Sequence, residues 1–311
     1  LRSSELSIEP FVLEGHQRPI YTLSPGRTDD EYLSAGEDRW IVAWSEGMND
    51  GVTLAQAEST VYSLQTDLQT NTLWIGQANG VIRLVSLSDG KEVKAMQWHE
   101  EGVFGMVLLP DVVLSASADG ILACTDRNSH TLMWRFNHPG GKIREIAVSP
   151  DGAWIAFGNQ SGYIHVCETE SGKLIWKEKV SQHSVNCVLW SKDKPVLLYG
   201  TQDAKLGLVD WQSSKASEQI PAHNFAIYRL KWSPCGRFIA SASRDKTAKI
   251  WNPKDLTVLL RLEAKPLVGH RHSVNALLWA NNGSYIYTAG DDRRVCRWDL
   301  ASFYSYYANL V

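Results

Sequence analysis

The sequence predicts an all-β protein built from seven copies of one unit, and three observations carry that prediction. First, a pattern recurs about every forty residues. Its clearest copies read Ala222-His223 … Ser241-Ala-Ser-Arg-Asp245-Lys-Thr-Ala-Lys-Ile-Trp251-Asn252 and Gly269-His270 … Thr288-Ala-Gly-Asp-Asp292-Arg-Arg-Val-Cys-Arg-Trp298-Asp299. An early copy reads Gly15-His16 … Ser34-Ala-Gly-Glu-Asp38-Arg-Trp-Ile-Val-Ala-Trp44. Second, aligning on the Trp position places one copy at each of 44, 85, 125, 167, 209, 251 and 298. Third, each copy contains short β-rich runs broken by turn residues.

Those runs define the elements. Trp154-Ile-Ala-Phe, Phe238-Ile-Ala-Ser-Ala-Ser and Tyr285-Ile-Tyr-Thr-Ala are strand stretches. Pro150-Asp151-Gly152, Pro234-Cys235-Gly236 and Asn281-Asn282-Gly283 precede them and read as hairpin turns. The position six residues before each Trp slot holds Asp38, Asn79, Asp119, Ser161, Asp203, Asp245 and Asp292. The middle copies depart from the full pattern. Their Trp slots are Val85, Thr125, Cys167 and Val209, and the His slot is Ala57 in copy two and Ser181 in copy five. His183 aligns with His272 and not with His270, while His99 and His138 fall near the slot in copies three and four. Only copies one, six and seven carry His, Ser/Thr, Asp and Trp together.

This pattern of Gly-His, turn Asp and Trp-Asp resembles the WD-repeat (WD40) family of β-propellers, and the resemblance spans the chain. It implies one domain over residues 1–311, a seven-bladed β-propeller of four-stranded antiparallel blades. The last copy ends soon after its Trp slot, so residues 6–13 are expected to close the ring as the outer strand of the last blade. Blades six, seven and one then lie side by side. The tail, residues 301–311, is extra, and either packs on the rim or competes for that strand position. The resemblance also implies a buried hydrogen-bond relay in each complete blade. Its members are His16, Ser34, Asp38 and Trp44; His223, Ser241, Asp245 and Trp251; and His270, Thr288, Asp292 and Trp298. A buried indole N–H and imidazole need partners, and an Asp can orient the imidazole. A catalytic or metal-binding reading of these His-Asp pairs is disfavoured by their repetition from blade to blade.

Composition bounds the function class. The formal net charge is −3 and the pI is near 6.3, without the basic footprint of a nucleic-acid-binding chain. Hydrophobic content is 44%, ordinary for a globular protein. Of 13 Trp, three fill the family slot; Trp190, Trp232 and Trp279 recur at inner-strand ends and read as packing. Cysteines stand at 124, 167, 187, 235 and 296 without a Cys-x-x-Cys pair, so neither zinc nor a disulfide framework is indicated. They read as small core residues in a reducing, cytoplasmic compartment, the nucleus being the alternative in a eukaryote. No signal peptide and no apolar run of membrane-spanning length is legible. The Asn-x-Ser/Thr triplets at Asn159 and Asn282 read as turn chemistry.

No enzyme motif emerges: there is no nucleophile elbow, phosphate loop or His-Glu-x-x-His. His270 and His272 fall on one side of a strand, but the relay claims the first, so no metal pair is expected. Asp29-Asp30-Glu31 reads as a solvated loop. No cofactor is expected. Positions that reach the narrow face of peptide-binding WD-repeat proteins hold Tyr21, Tyr62, Phe104, Arg144, Asn186, Tyr228 and Asn275 on the inner strands. Before the Asp slot they hold Glu37, Ala78, Ala118, Gln160, Gln202, Arg244 and Asp291. Aromatic residues and Arg are the types enriched at interface hot spots. The expected function is therefore a non-catalytic scaffold. It would bind a protein or peptide partner through Tyr21, Tyr62, Phe104, Arg144, Tyr228, Arg244, Asn275, Glu37 and Asp291, within a multi-protein complex and without membrane or nucleic acid. The aromatics could instead plug the channel mouth. The alternative function is a propeller enzyme or small-ligand sensor using the channel, which a ring of carboxylates would favour.

Overall fold

In a computed structural model, which describes residues 6–216, 218–263 and 268–307, the strands pair into seven antiparallel sheets. The chain divides into two compact units. Unit one, Leu1–Gln56 with Tyr228–Val311, holds three sheets. Blade one is β2 (Ile20–Pro25), β3 (Glu31–Gly36), β4 (Trp40–Ser45) and β5 (Val52–Gln56). Blade six is β23 (Ile227–Trp232), β24 (Ile239–Ser243), β25 (Ala248–Trp251) and β26 (Val258–Leu262). Blade seven is β27 (Val274–Trp279), β28 (Tyr285–Gly290), β29 (Arg294–Asp299) and, at its outer edge, β1 (Phe11–Glu14). β27 lies against β2 on one side and β24 on the other.

Unit two, Ala57–Ile227, holds the other four. Blade two is β6 (Val61–Asp67), β7 (Thr72–Gln77), β8 (Val81–Ser86) and β9 (Glu92–Gln97); blade three is β10 (Val103–Leu108), β11 (Val112–Ser117), β12 (Ile121–Asp126) and β13 (Leu132–Asn137). Blade four is β14 (Ile143–Val148), β15 (Trp154–Asn159), β16 (Tyr163–Glu168) and β17 (Leu174–Lys179). Blade five is β18 (Val185–Trp190), β19 (Val196–Thr201) and β20 (Lys205–Asp210), with an outer strand in two pieces, β21 (Lys215–Ala216) and β22 (Ile220–Pro221), both paired to β20.

Burial follows strand position. Every residue of β3 and β7 is buried, whereas β13 and β17 have no buried residue. A second strand is covered on both faces, so it reads as a near-continuous apolar run ending in small residues, such as Ile-Ala-Ser-Ala-Ser in β24. At Gly36 and Gly290 an added Cβ would fall 2.0 Å from the carbonyl oxygens of Pro19 and Ser273, which explains the missing side chain there.

The closing strand is shorter than residues 6–13. Pairing runs from Phe11↔Arg297 to Glu14↔Arg294, because Pro10 has no N–H with which to extend the ladder. Leu6 and Ile8 instead pack, partly buried, on the core between blades six and seven. The Arg297 guanidinium lies 5.0 Å from the Phe11 ring and 5.1 Å from the Tyr285 ring, so the short strand also gains cation–π contact. The tail forms a helix, α1 (Ala301–Tyr307). Phe303 and Tyr307, one turn apart, enter the Phe238, Leu260 and Trp298 cluster. The hydroxyls of Tyr307 and Tyr304 donate to the carbonyls of Leu259 (2.8 Å) and Gly283 (2.9 Å). The helix therefore caps blades six and seven and leaves the outer-strand position to β1. Residues 308–311 of the predicted tail lie outside the described residues.

Within blade one, His16 Nδ1 lies 2.8 Å from Asp38 and Nε2 lies 2.7 Å from the Ser34 hydroxyl, which also accepts the Trp44 indole N–H at 2.7 Å. Blade seven repeats this: His270 Nδ1 is 3.0 Å from Asp292, Nε2 is 2.8 Å from Thr288, and Trp298 donates to Thr288 at 2.8 Å. In blade six the Trp251 indole donates to Ser241 at 2.8 Å, and His223 is buried. Burial works to raise the Asp292 carboxyl, but the His270 bond and charge together with the Arg271 and Arg294 N–H groups outweigh it and hold it low. Burial likewise works against charge on His270, but Cys296 and Asp292 outweigh it and raise that imidazole.

The middle blades replace the relay piecemeal. Blade three keeps its His–Ser half, with His99 Nε2 2.8 Å from Ser115 and Nδ1 3.7 Å from Asp119. Blade four puts Phe157 in the hydroxyl position. His165 stacks on that ring at 4.9 Å and His138 meets it edge-on at 4.9 Å. Burial lowers both imidazoles, and His165, with His138 and Lys177 nearby, falls to about 4. Blade five puts Tyr199 there, its ring accommodated by Gly207, where a Cβ would come within 2.3 Å. Between blades two and three, Arg127 binds Asp67 through two nitrogens, both residues buried. Burial alone would raise Asp67, but donors from Arg127 and Thr70 bring it down to about 2.

Three outcomes are expected. Phe303→Ala costs about 3–5 kcal/mol in urea unfolding, whereas Tyr306→Ala, at an exposed position of the same helix, changes stability by about 0.5 kcal/mol or less. Thr288→Ala strips one acceptor from two buried donors and costs about 2–4 kcal/mol, and Thr288→Ser largely restores it. Because the His165 imidazole is held below its ordinary value, the unfolded chain takes up a proton first as pH falls from about 6.5 toward about 4, and stability is lost over that window. Comparing urea unfolding at pH 7 and pH 5, His165→Phe removes about 1–2 kcal/mol of that loss.

Candidate functional site

Each unit holds some of the residues expected to contact a partner. In unit two, Tyr62 on β6 and Phe104 on β10 are half-buried, with ring centroids 4.7 Å apart. The guanidinium of Arg144, on β14, lies 5.5 Å from the Phe104 centroid. Inner strands β6, β10 and β14 are successive neighbours, so one position per blade yields a contiguous aromatic–aromatic–cation row. Gly102 makes it possible: a Cβ there would come within 2.9 Å of the Tyr62 ring. Such a row offers apolar surface with a charged end, the chemistry of an interface anchor.

In unit one, Tyr21 on β2 and Tyr228 on β23 are half-buried, and Glu37 and Arg244 are exposed in the turns after β3 and β24. Asn275 and Asp291 are bonded within the fold. The Asn275 amide donates to the Ile20 carbonyl at 2.9 Å and to Asp291 at 2.7 Å, so both its hydrogens are engaged within the fold. In unit two, Asn186 likewise donates to the Ile227 carbonyl at 3.0 Å. In both cases the inner-strand Asn amide is held by a backbone carbonyl.

Two further expectations are corrected. Glu31 is not part of a solvated loop: it opens β3, is buried, and accepts from the Arg27 backbone N–H at 2.7 Å and from its guanidinium. Gly26 and Arg27 fold over it, so only Asp29 and Asp30 stay exposed. Cys235 is not a core residue. It occupies the β23–β24 turn and is exposed, unlike the other four free thiols. Asn159 and Asn282 accept backbone N–H groups two residues on, at 3.1 and 2.9 Å.

Sequence reasoning passed over a cavity of about 430 Å³ in unit one, lined in part by Arg271, His272 and Arg293. The available signal was a basic residue directly after both His270 and Asp292. No group of three or more His, Cys, Asp or Glu among the described residues is arranged to hold a metal ion. No described helix is long and apolar enough to cross a membrane.

The comparisons agree with this architecture. The model described as "WD domain, G-beta repeat" matches residues 214–252 and 262–299. That of the anaphase-promoting complex subunit 4 WD40 domain matches residues 110–193. The chain is 24% identical over 220 residues to nuclear distribution protein nudF of Aspergillus niger, covering 68% of this chain and 43% of that protein. It is 23% identical over 255 residues to eukaryotic translation initiation factor 3 subunit I of Botryotinia fuckeliana, covering 81% and 68%. The chain thus spans less than half of the first of these relatives. The crystal structure of the WD40 β-propeller domain of Doa1 superposes with a TM-score of 0.82 at 18% identity, covering 94% of this chain and 96% of that one. With seven four-stranded sheets, the N-terminal strand pairing into the last, and repeats that two WD40 models match, this chain belongs to the WD40-repeat β-propellers.

Proposed function

We propose that this chain is a non-catalytic interaction scaffold that holds a protein or peptide partner within a larger assembly. The observation that supports this reading best is the Tyr62–Phe104–Arg144 row. Its half-buried rings are held in place by their own contacts, so little side-chain freedom is lost when a partner covers them. The cation at its end selects a partner segment that joins an apolar anchor to an acidic group. In unit one, Tyr21, Tyr228, Arg244 and Glu37 extend the same chemistry, while Asn275 and Asp291 serve the fold. One relative is named as a subunit of a translation initiation factor, which supports work inside an assembly. Buried free thiols suit a reducing compartment, and we place the chain in the cytoplasm.

The test is capture from a native lysate, with quantitative mass spectrometry, using wild type beside a Tyr62→Ala/Phe104→Ala/Arg144→Ala variant. Circular dichroism and thermal melting check that both are folded. The expected outcome is a partner whose recovery falls at least about tenfold with the variant, the loss of one hot-spot contact's worth of affinity. Equal recovery on both proteins overturns the assignment of this row.

A further inference from the structure

The cavity of about 430 Å³ in unit one is lined by Arg271, Arg293 and Arg294 as well as by acids. Three carboxylates reach it, and each is already engaged. Glu14 pairs with Arg294 at 2.7 Å. Asp291 accepts from Asn275 at 2.7 Å. Asp292 holds His270 at 3.0 Å and the Arg271 backbone N–H at 2.8 Å. The side chains of Arg271 and Arg293 have no hydrogen-bond or ion-pair partner among the described residues, and both are exposed, as is the neighbouring His272. Two guanidinium groups without counter-ions therefore line a concave polar site whose acids are occupied.

Arg293 stands in the tight turn after Asp292 with a φ of +68°, a left-handed conformation that costs an L-residue about 1 kcal/mol. The equivalent turn position holds Gly80, Gly120 and Gly162 in blades two, three and four, and Arg39, Ala204 and Lys246 at the same positive φ in blades one, five and six, so the turn accepts a cation or a glycine without changing its backbone.

We infer that this pocket binds an oxyanion group carried on a partner peptide, a phosphoryl group or clustered carboxylates, with Arg271 and Arg293 as its ligands and His272 at its margin. Guanidinium is the side chain whose planar fork matches such oxygens in bidentate fashion. The inference deepens the scaffold reading proposed above and rests on it, but uses residues that the Tyr62–Phe104–Arg144 test does not touch.

The test uses three immobilised peptide pools with random flanks and a fixed centre of phosphoserine, three glutamates, or serine. Wild type is expected to be retained at least about tenfold more on an anionic pool than on the serine pool. An Arg271→Gln/Arg293→Gly variant is expected to lose that preference while keeping the wild-type melting temperature, since glycine suits the backbone at 293. The Tyr62→Ala/Phe104→Ala/Arg144→Ala variant is expected to keep the preference. Retention on the phosphoserine pool alone assigns a phosphoryl group, and retention on both anionic pools assigns clustered carboxylates as well. Equal retention of wild type on all three pools, or an undiminished preference in the Arg271/Arg293 variant, overturns the inference. Lysate capture that succeeds while the pools fail to differ leaves the scaffold reading standing and removes the pocket alone.

Discussion

In five of the seven blades a side chain accepts a backbone N–H in the link leading to the innermost strand, and this bond ties the link to the blade. In blades one, three and seven the turn Asp accepts it: Gln17 N–H to Asp38 at 2.9 Å, Glu100 N–H to Asp119 at 2.9 Å, and Arg271 N–H to Asp292 at 2.8 Å. These bonds lie at exposed positions, so each contributes about 0.5–1.5 kcal/mol and their weight comes from recurrence. The same carboxylates accept an amide two residues on, so a single side chain fixes both the tight turn and the link beside it.

Blades two, four and five tie the link by other side chains. In blade two, Gln77 accepts from Glu58 and Ser59 at 3.2 and 3.1 Å. In blade four, Ser161 reverses the polarity, donating through its hydroxyl to the Gly140 carbonyl at 3.1 Å. Blade five keeps its Asp, but Asp203 is engaged by the Thr201 hydroxyl at 2.6 Å and by Lys205 at 3.0 Å, and Ser181 takes the His183 N–H at 3.0 Å. The hydroxyl position behaves similarly. Where Trp is missing from its slot, blades four and five fill the space with Phe157 and Tyr199, volume replacing hydrogen bonding.

This separates what is legible in the chain from what is not. Repeat spacing, turn residues and the His–Ser/Thr–Asp–Trp quartets are local and periodic, and they lead directly to seven sheets and a closing strand. Gln77 lies two residues before the Asp slot, so alignment on the slot hides its role. The α1 helix was foreshadowed only by Phe303 and Tyr307 at a spacing of four, too short a signal to separate from a tail. Asn275 sits at a face position by spacing, yet the carbonyl that takes its amide belongs to Ile20, 255 residues away in sequence. Contacts of that kind are set by the packing of blades, and no window along the chain contains both partners.

Relay and recognition meet at Asp292. Its carboxylate orients His270 and holds the Arg271 N–H, so the interaction that stiffens blade seven also fixes the backbone from which the Arg271 side chain leaves. At the other wall of the cavity, the Arg293 N–H donates to the Gly290 carbonyl at 3.1 Å, and Asp292 accepts the Arg294 N–H at 3.3 Å. Each cation thus springs from a backbone already bonded within the fold, and only its side chain remains to be ordered by a ligand. Holding a site's backbone in place before binding lowers the entropy lost on association. A turn Asp that is structural in blades one, three and seven can therefore serve recognition in the blade where the residues beside it are cationic and unpaired.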